Sequence, residues 1–254
     1  MTTDKQVVCI KFGARALEAP RTVAEIATEL GQLQTEYRCV VIHGGGAEVT
    51  KLSETFGITP QFRDGIRLTT ADDMHIVDMV LAGSVNTSLV RALGKRAVGL
   101  SGCDGAIFIG ERISKDSHTG RVVDTDPRLL DTLTDGGWIP VISSVSVDTE
   151  GTALNINADD AALAIAESIP AESLIFISDI PGILEDGVVV RSMTPDESED
   201  AIARGVITEG MIPKVRASAG ALRAGVGSVS IGSFDAAGDI KALADGTKGT
   251  RIIR

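Results

Sequence analysis

A buried strand, a glycine turn and the start of a helix follow one another in Val41-Ile42-His43-Gly44-Gly45-Gly46-Ala47-Glu48-Val49. Three adjacent glycines let the backbone approach a ligand closely, and the helix that follows directs its first free N–H groups toward the same point. A purely structural turn between a strand and a helix usually needs only one glycine. The pattern therefore favours an anion-binding loop, with a tight turn as the alternative.

Short apolar runs alternate with segments of helical periodicity on both sides of this turn. The predicted strands are Val7–Phe12, Arg38–His43, Ala97–Leu100, Trp138–Ser143, Ser173–Ser178 and Ser228–Ile231. The predicted helices are Thr22–Gln34, Glu48–Phe56, Asp72–Ala82, Ala158–Ser168, Pro195–Arg204 and Pro213–Ala224. This alternation is typical of an α/β protein with a largely parallel sheet and helices on both faces. We expect one continuous sheet, a soft boundary between two halves near Val145–Leu154, and a small antiparallel lid within Arg63–Val123.

Composition excludes several classes of protein. Of 254 residues, 24 are Lys or Arg and 35 are Asp or Glu, and 43% are hydrophobic, which is enough to fill a core and excludes wholesale disorder. The net charge of −11 argues against nucleic acid as a partner, because that binding needs clustered basic side chains. No uninterrupted apolar run approaches the ~20 residues of a membrane helix, so no membrane association is expected. Three widely spaced cysteines without a Cys-x-x-Cys pair suit a reducing cytoplasm and predict no metal site.

Cationic and polar side chains stand at several predicted strand and helix ends. Lys11 precedes Gly13 where the first strand ends, and Arg67 follows a glycine turn, where its two-pronged guanidinium suits a carboxylate. Lys214 falls in the first turn of a predicted helix, where a cation opposes the helix dipole unless an anion is bound there. The usual nucleotide fingerprints are missing: the single Gly-Lys pair, Gly94-Lys95, is followed by Arg96.

Nine blocks taken together resemble the N-acetyl-L-glutamate kinases of the amino acid kinase family, in the order that family has them. They are Lys11-Phe12-Gly13, His43-Gly44-Gly45-Gly46, Asp64-Gly65-Ile66-Arg67, Ala82-Gly83-x-x-Asn86, Val98–Gly105, Asn155-x-Asn157-Ala158-Asp159, Ser178-Asp179-x-Pro181-Gly182-Ile183, Gly210-Met211-Ile212-x-Lys214 and Gly249-Thr250-Arg251-Ile252. The resemblance implies an open αβα sandwich around a mainly parallel sheet of about eight strands. It also implies a single kinase domain over residues 1–254, with the acyl amino acid in a lobe of about 1–150 and ATP in a lobe of about 151–254.

The resemblance further implies transfer of the ATP γ-phosphoryl group to the side-chain carboxylate of N-acetyl-L-glutamate in arginine biosynthesis. By carry-over from the family, the catalytic residues are Lys11, Asp159 and Lys214, with Asp159 holding both lysines. The substrate would contact Gly45, Gly46, Arg67 and Asn155, and the phosphoryl group would contact backbone N–H groups at Gly13 and Gly44. The nucleotide would contact Ser178, Asp179, Pro181, Gly182, Ile183, Leu184, Thr208, Gly210 and Met211. Mg²⁺ would arrive with ATP, held mostly by phosphates.

Two departures from the family pattern keep alternatives open. Ala14 and Arg15 stand where the family's first loop has a second glycine and a small or apolar residue. Arg15 is expected to point to solvent or to a nearby carboxylate. The segment Gly120–Pro127 is shorter than usual, and the absence of a long helix before Val7 implies the short, arginine-insensitive, homodimeric type. The alternatives are a kinase for aminoadipate or glutamate linked to a carrier protein, and a catalytically weakened paralogue that acts as a ligand sensor.

Overall fold

The computed structural model describes residues 5–17, 19–63, 66–208 and 210–254, without the side chains of residues 14, 15 and 20. The strands are β1 (Val7–Phe12), β2 (Arg38–His43), β3 (Gln61–Arg63), β4 (Ile66–Leu68), β5 (Ala97–Ser101), β6 (Phe108–Arg112), β7 (Thr119–Thr125), β8 (Ile139–Ser143), β9 (Val145–Val147), β10 (Ala153–Ile156), β11 (Ser173–Ile177), β12 (Leu184–Glu185), β13 (Val188–Val189), β14 (Ser192–Met193), β15 (Ser228–Gly232) and β16 (Thr250–Ile252).

The helices connect these strands, and the six that the sequence predicts begin within two residues of the predicted positions. They are α1 (Pro20–Leu33), α2 (Gly46–Thr55), α3 (Ala71–Val77), α4 (Asn86–Leu93), α5 (Arg128–Asp135), α6 (Ala158–Ser168), α7 (Pro195–Ala203), α8 (Met211–Ala224) and α9 (Asp239–Ala244). A π-helical segment, Asp78–Val85, joins α3 to α4, and short 3₁₀ turns occur at Ala14–Leu17, Gly94–Arg96 and Asp104–Ala106.

The main sheet confirms the predicted α/β architecture. Within the described residues it has eight strands in the order β14-β16-β15-β11-β1-β2-β8-β5. Every neighbouring pair is parallel except β15 with β16. Each of the six predicted strands belongs to this sheet. The four strands on one side of the sheet, β1, β2, β8 and β5, come from the first half of the chain. The four on the other side, β11, β15, β16 and β14, come from the second half.

Two apolar layers cover the two faces of the sheet. Alternate residues of β1 point to opposite faces, so that Val7 and Cys9 join one hydrophobic cluster while Val8, Ile10 and Phe12 join the other. The first cluster includes side chains of α6 and α8, and the second includes side chains of α1, α3 and α9. The result is the three-layer αβα sandwich that the resemblance implied, with near-continuous apolar strands because both faces are buried.

The carboxyl ends of three neighbouring strands meet at one edge of the sheet. The register places Phe12 at the end of β1 beside His43 of β2 and Ile177 of β11. The chain continues from β1 to β2 on one side, and β11 is added later on the other side. A crevice opens outside the carboxyl ends of strands at such a switch in strand order, and α/β proteins place their ligands there.

Smaller sheets lie beside the main one. β3 and β4 form an antiparallel hairpin, which fits the lid predicted within Arg63–Val123, although it begins slightly earlier, at Gln61. A four-stranded sheet has the order β6-β7-β10-β9 and draws two strands from outside that stretch. The composition of short strands does not reveal their partners, which explains why this second sheet was not predicted.

The helical stretch Ala71–Arg96, which comprises α3, the π segment, α4 and the turn after it, is long and apolar enough to match a membrane span by length and composition. Its mean hydropathy reaches 1.3 over the most apolar window. Met74, Val77, Leu81 and Leu89 of this stretch are buried in the core beneath the sheet. One side of the stretch therefore packs into the core, while 39% of its most apolar window is buried in all.

Candidate active site

Asp159 lies between two lysine side chains that come from opposite halves of the chain. Its Oδ1 is 2.7 Å from Nζ of Lys11, and its Oδ2 is 3.1 Å from Nζ of Lys214. Both lysine side chains are largely buried, at 13% and 14% exposed. The structure thus brings together the three residues predicted to be catalytic, and one carboxylate holds two ammonium groups near each other.

The electrostatics of this triad keep the Asp159 carboxylate ionised. Burial alone would raise its pKa, but the charges and hydrogen bonds of Lys11 and Lys214 lower the pKa below its ordinary value. An ionised carboxylate between two cations is a poor proton acceptor and serves instead to hold them. Two ammonium groups and one carboxylate carry a net positive charge, which suits an approaching polyanion.

Lys214 occupies the first turn of α8, where a cation opposes the helix dipole. The sequence suggested that a bound anion would resolve this conflict, and the structure shows that the protein itself supplies one in Asp159. The Lys214 ammonium also lies 5.1 Å from the centre of the buried Phe176 ring. These contacts aim the lysine at the carboxyl edge of the sheet.

The start of α6 sets the position of Asp159. The side-chain oxygen of Asn157 accepts a hydrogen bond from the Asp159 N–H at 2.8 Å, so Asn157 is the N-cap of this helix. This is the structural role that the sequence allowed for Asn157. Asp159 then falls in the first turn, where a negative side chain interacts favourably with the helix dipole.

Arg67 extends from β4 and is only 8% exposed. Its Nη2 donates to the Gly46 carbonyl at 3.3 Å and to the Thr50 hydroxyl, and its guanidinium lies 4.9 Å from the centre of the Phe62 ring. Nη1 is buried and has no hydrogen-bond partner within the described part of the chain. Burial lowers the pKa of Arg67, and the nearby Asp73 charge raises it. A guanidinium with a buried, unpaired donor is suited to a carboxylate ligand.

Asn155 is tied to Arg67 through two threonines that sequence reasoning missed. The Asn155 amide donates to the Thr69 hydroxyl at 2.9 Å. The Thr119 hydroxyl accepts from the Thr69 N–H at 2.9 Å and donates to the Arg67 carbonyl at 2.6 Å. These residues lie in three separate segments, so no local pattern marks them. The network joins the Asn155 side chain to the backbone of Arg67.

A cavity of about 640 Å³ lies between the glycine loop and the β3–β4 hairpin. Of the predicted site residues, its lining includes Lys11, Gly44, Gly45, Gly46, Arg67 and Asn155. Its apolar wall includes Phe12, Phe62, Ile66 and Leu81. The predicted substrate-binding residues are therefore grouped around one cavity. Asp159, Lys214 and the predicted nucleotide-binding residues are not among its described lining residues. The first group of nucleotide-binding residues follows β11, which pairs with β1 on the side opposite β2.

The glycine loop requires glycine for a physical reason at Gly45. Its φ is +156°, and a Cβ there would lie 2.8 Å from Cδ2 of Leu81. Gly46 is the first residue of α2, and the leading N–H groups of a helix have no partners inside it. The turn thus delivers a helix start into the cavity, as the sequence indicated.

Gly13 differs from its predicted role. Its N–H donates to the Ile177 carbonyl at 3.0 Å, so this donor is committed to the sheet and is not directed at a phosphoryl group. A Cβ at Gly13 would lie 3.1 Å from the same carbonyl oxygen, which explains the small residue. The predicted positions of the Arg15 side chain, the Asp64-Gly65 turn and Glu209 fall outside the described residues.

The predicted nucleotide-binding residues form two groups at the same edge of the sheet. Ser178, Asp179, Pro181, Gly182, Ile183 and Leu184 follow β11, whereas Thr208, Gly210 and Met211 precede or begin α8. Ser178 N–H donates to the Gly232 carbonyl at 2.8 Å, and Ile183 N–H donates to the Thr250 hydroxyl at 2.8 Å. The Ile183 side chain is 4% exposed and Leu184 is 44% exposed. Ile183 therefore belongs to the core, and its carbonyl also has a partner, since it accepts from the Val190 N–H at 2.8 Å.

No group of three or more His, Cys, Asp or Glu side chains is arranged to hold a metal ion in the part of the chain that the structure describes. The acidic group at the centre of the site, Asp159, is already paired with two lysines.

Comparison with known proteins identifies relatives along almost the entire chain. Residues 6–233 match the model of the amino acid kinase family. The acetylglutamate kinase of Aquifex aeolicus is 37% identical over 249 residues, covering 89% of this chain and 84% of that protein. The acetylglutamate kinase of Rubrobacter xylanophilus is 40% identical over 218 residues, covering 85% of this chain and 86% of that protein.

A solved structure has the same fold. The protein smu.665 of Streptococcus mutans UA159 superposes with a TM-score of 0.78 at 27% identity, covering 97% of this chain and 98% of that one. The fold and the sequence comparisons thus agree. The chain belongs to the amino acid kinase family, and the relatives that it resembles along most of its length are acetylglutamate kinases.

Proposed function

We propose that this chain is a kinase that transfers the γ-phosphoryl group of ATP to the side-chain carboxylate of N-acetyl-L-glutamate. The observation that carries the proposal is the Lys11–Asp159–Lys214 triad at the edge of a cavity that contains the unpaired Nη1 of Arg67. Relatives named acetylglutamate kinase support the choice of acceptor. The product is an acyl phosphate, and we place the reaction in arginine biosynthesis.

The acceptor would bind in the cavity beside the glycine loop. Arg67 would bind its α-carboxylate with the free Nη1, and Asn155 would hydrogen-bond nearby. Phe62 and Leu81 would provide an apolar wall for the acetyl methyl group. The side-chain carboxylate would then point toward Lys11 and the N–H groups of Gly45 and Gly46.

The chemistry needs charge neutralisation and positioning and no general base. A glutamate side chain has an ordinary pKa of about 4.3, so the attacking carboxylate is already ionised. One of its oxygens forms a bond to the γ-phosphorus while the bond from that phosphorus to the β–γ bridging oxygen breaks, and ADP leaves with the electron pair. Lys11 and Lys214 reduce the repulsion between the two anions, and Asp159 keeps both lysines in position.

The nucleotide would bind on the other side of Lys11. We propose that two groups of residues surround the nucleoside: Ser178, Asp179, Pro181, Gly182, Ile183 and Leu184 after β11, and Thr208, Gly210 and Met211 at the start of α8. Lys214, in the first turn of α8, would contact the phosphates. Gly13 would serve by its small size, which allows β1 to approach the Ile177 carbonyl closely. Mg²⁺ would come with ATP and be held mainly by phosphate oxygens, as is usual for this ion.

We further propose that the chain is a cytoplasmic homodimer. Light scattering after size-exclusion chromatography tests the dimer. The expected mass is about twice the 26.4 kDa of one chain.

An acyl-phosphate trapping assay tests the proposed function. Hydroxylamine converts an acyl phosphate to a hydroxamate, which forms a coloured complex with iron(III). Incubation with ATP, Mg²⁺ and N-acetyl-L-glutamate should therefore give hydroxamate. Glutamate, which lacks the acetyl group, should give much less. Turnover of carrier-linked aminoadipate or glutamate alone would establish the carrier-dependent reaction instead. Binding of ATP and N-acetylglutamate without any hydroxamate, in the native chain and in Arg15→Ser, would establish the sensor.

A further inference from the structure

His43 is fully buried at the carboxyl end of β2, and none of the proposed binding or catalytic roles uses it. Both nitrogens of its ring have partners. Nδ1 lies 2.8 Å from the carbonyl oxygen of Gly44, and Nε2 lies 3.0 Å from Nδ2 of Asn86. The histidine thus connects a helix residue to the first residue of the glycine loop.

These contacts define which ring nitrogen carries the proton. A carbonyl oxygen only accepts hydrogen bonds, so Nδ1 of His43 must carry the hydrogen that faces Gly44. The Asn86 atom that meets Nε2 also lies 2.8 Å from the Val141 carbonyl and 3.2 Å from the Leu100 carbonyl, so it must be the amide nitrogen. This amide nitrogen accepts no hydrogen bond, and its two hydrogens are shared among the three atoms, so Nε2 must be unprotonated to lie this close. Both arguments give the same neutral tautomer.

The surroundings favour this neutral form and hold Asn86 in place. Burial lowers the pKa of His43 to about 4, although its hydrogen bond to Gly44 acts in the opposite direction. Asn86 follows the π segment directly and is 4% exposed. Gly99 leaves the space for its amide, because a Cβ there would overlap the Asn86 Oδ1. A protonated His43 would direct a second N–H against the Asn86 amide group.

The consequence for the loop follows from the planarity of the peptide bond. The Gly44 carbonyl and the Gly45 N–H belong to one trans peptide unit and point in opposite directions. Between two glycines such a unit rotates at little steric cost. A donor that holds the Gly44 carbonyl therefore also fixes the direction of the Gly45 N–H. The π segment packs against the same place, since Cδ2 of Leu81 would lie 2.8 Å from a Cβ at Gly45.

We infer that His43 and Asn86 are positioning residues that hold the glycine loop with its Gly45 N–H aimed into the cavity. Asn86 selects the tautomer, and His43 Nδ1–H orients the peptide. The inference rests on the proposed phosphoryl transfer and names two residues that act on it through the backbone and touch neither substrate.

The tautomer is measurable without any assay of activity. The chain has three histidines, and a long-range ¹H–¹⁵N spectrum of the imidazole rings distinguishes a protonated Nδ1 from a protonated Nε2. The His43 signals are those missing from the spectrum of His43→Asn. At neutral pH we expect Nδ1 to be protonated and Nε2 to be bare. A protonated Nε2 overturns the inference.

Two substitutions separate positioning from packing. Asparagine places an amide N–H close to the position of Nδ1, whereas glutamine places an oxygen close to that of Nε2 and leaves Gly44 without its donor. We expect His43→Asn to keep kcat within about fivefold, and His43→Gln to lose about 100-fold in kcat while KM for ATP changes little. If His43→Gln is instead the more active variant, the role is core packing and the inference is overturned.

Thermal unfolding of both variants provides the control for folding. Failure of the proposed function appears separately, as a wild-type chain that forms no acyl phosphate. In that case the imidazole spectrum still tests whether His43 and Asn86 hold the glycine loop through the Nδ1–H tautomer.

Discussion

Lys214 is the side chain whose removal most directly tests the triad. Lys214→Ala removes one of two cations that would neutralise the transferring phosphoryl group, and it leaves Asp159 paired with Lys11 only. We expect kcat to fall by about 10³-fold, with KM for N-acetylglutamate nearly unchanged. Steady-state hydroxamate kinetics measure both constants. The control is Arg216→Ala on the same helix, whose partner Glu199 is exposed, and this variant should keep its activity.

Arg67 should determine affinity for the acceptor more than the rate of transfer. Arg67→Lys keeps the charge but loses the planar guanidinium. In the wild type, Nη2 of that group donates to Gly46 and Thr50, and Nη1 remains available to the ligand. We expect KM for N-acetylglutamate to rise by about 100-fold, with a smaller change in kcat. Arg63→Lys in the exposed neighbouring strand is the matched control. An unchanged KM in Arg67→Lys would remove Arg67 from the substrate site.

His43 should make the fold sensitive to acid. The pKa of its folded form is about 4, against an ordinary value of 6.5, because burial disfavours the charged ring. Between these pH values the unfolded chain binds a proton that the folded chain does not, so the free energy of unfolding falls as the pH falls from 6.5 to 4. The full loss is about 3 kcal/mol. Urea unfolding across this pH range should show this loss of unfolding free energy in the wild type and not in His43→Asn. An equal dependence of the unfolding free energy on pH in both proteins would refute the prediction.

At the level of elements, the start of α6 links stability to activity. Asn157→Ala removes the N-cap of this helix and should lower the free energy of unfolding by about 1 kcal/mol. Thr194→Ala removes the N-cap of α7 and should cost about the same. Only the first variant should also lower kcat, because α6 carries Asp159. Equal kcat in both variants would show that the cap does not position the triad.

The sequence predicts elements that carry their own periodicity. Val7–Phe12 and Arg38–His43 are found with the predicted bounds, because buried parallel strands read as unbroken apolar runs. The π segment after α3, whose Leu81 and Val85 side chains lie beside Gly45, has no such signal. Helices α4, α5 and α9 were not predicted, and none of them is longer than eight residues.

The residues of the candidate site also fall into those that the sequence reveals and those that only the fold reveals. Lys11, Arg67 and Lys214 stand out in the sequence, because a cation beside a glycine turn or at a helix start lacks a structural reason to be there. Thr69 and Thr119 do not stand out, because their role exists only once β4, β7 and β10 are adjacent. The commitment of the Gly13 N–H to Ile177 was likewise invisible, since it depends on the pairing of β1 with β11.

At the scale of the whole molecule, one sheet joins the two halves of the chain. β1 pairs with β2 on one side and with β11 on the other, so Lys11 stands where the two halves meet. We propose that residues 1–254 form a single kinase domain, with the acceptor bound by the first half and ATP by the second. A net charge of −11 is compatible with two anionic substrates because the cations of the site are buried and directed inward.

Transfer of the phosphoryl group to a carboxylate oxygen is the central claim, and isotope-resolved ³¹P NMR tests it directly. N-acetyl-L-glutamate labelled with ¹⁸O in its side-chain carboxylate is incubated with ATP and Mg²⁺, and the phosphorus spectrum is recorded over time. The account predicts an acyl-phosphate resonance that carries the ¹⁸O isotope shift and grows with ADP. Accumulation of ADP and unlabelled inorganic phosphate without that resonance would contradict it.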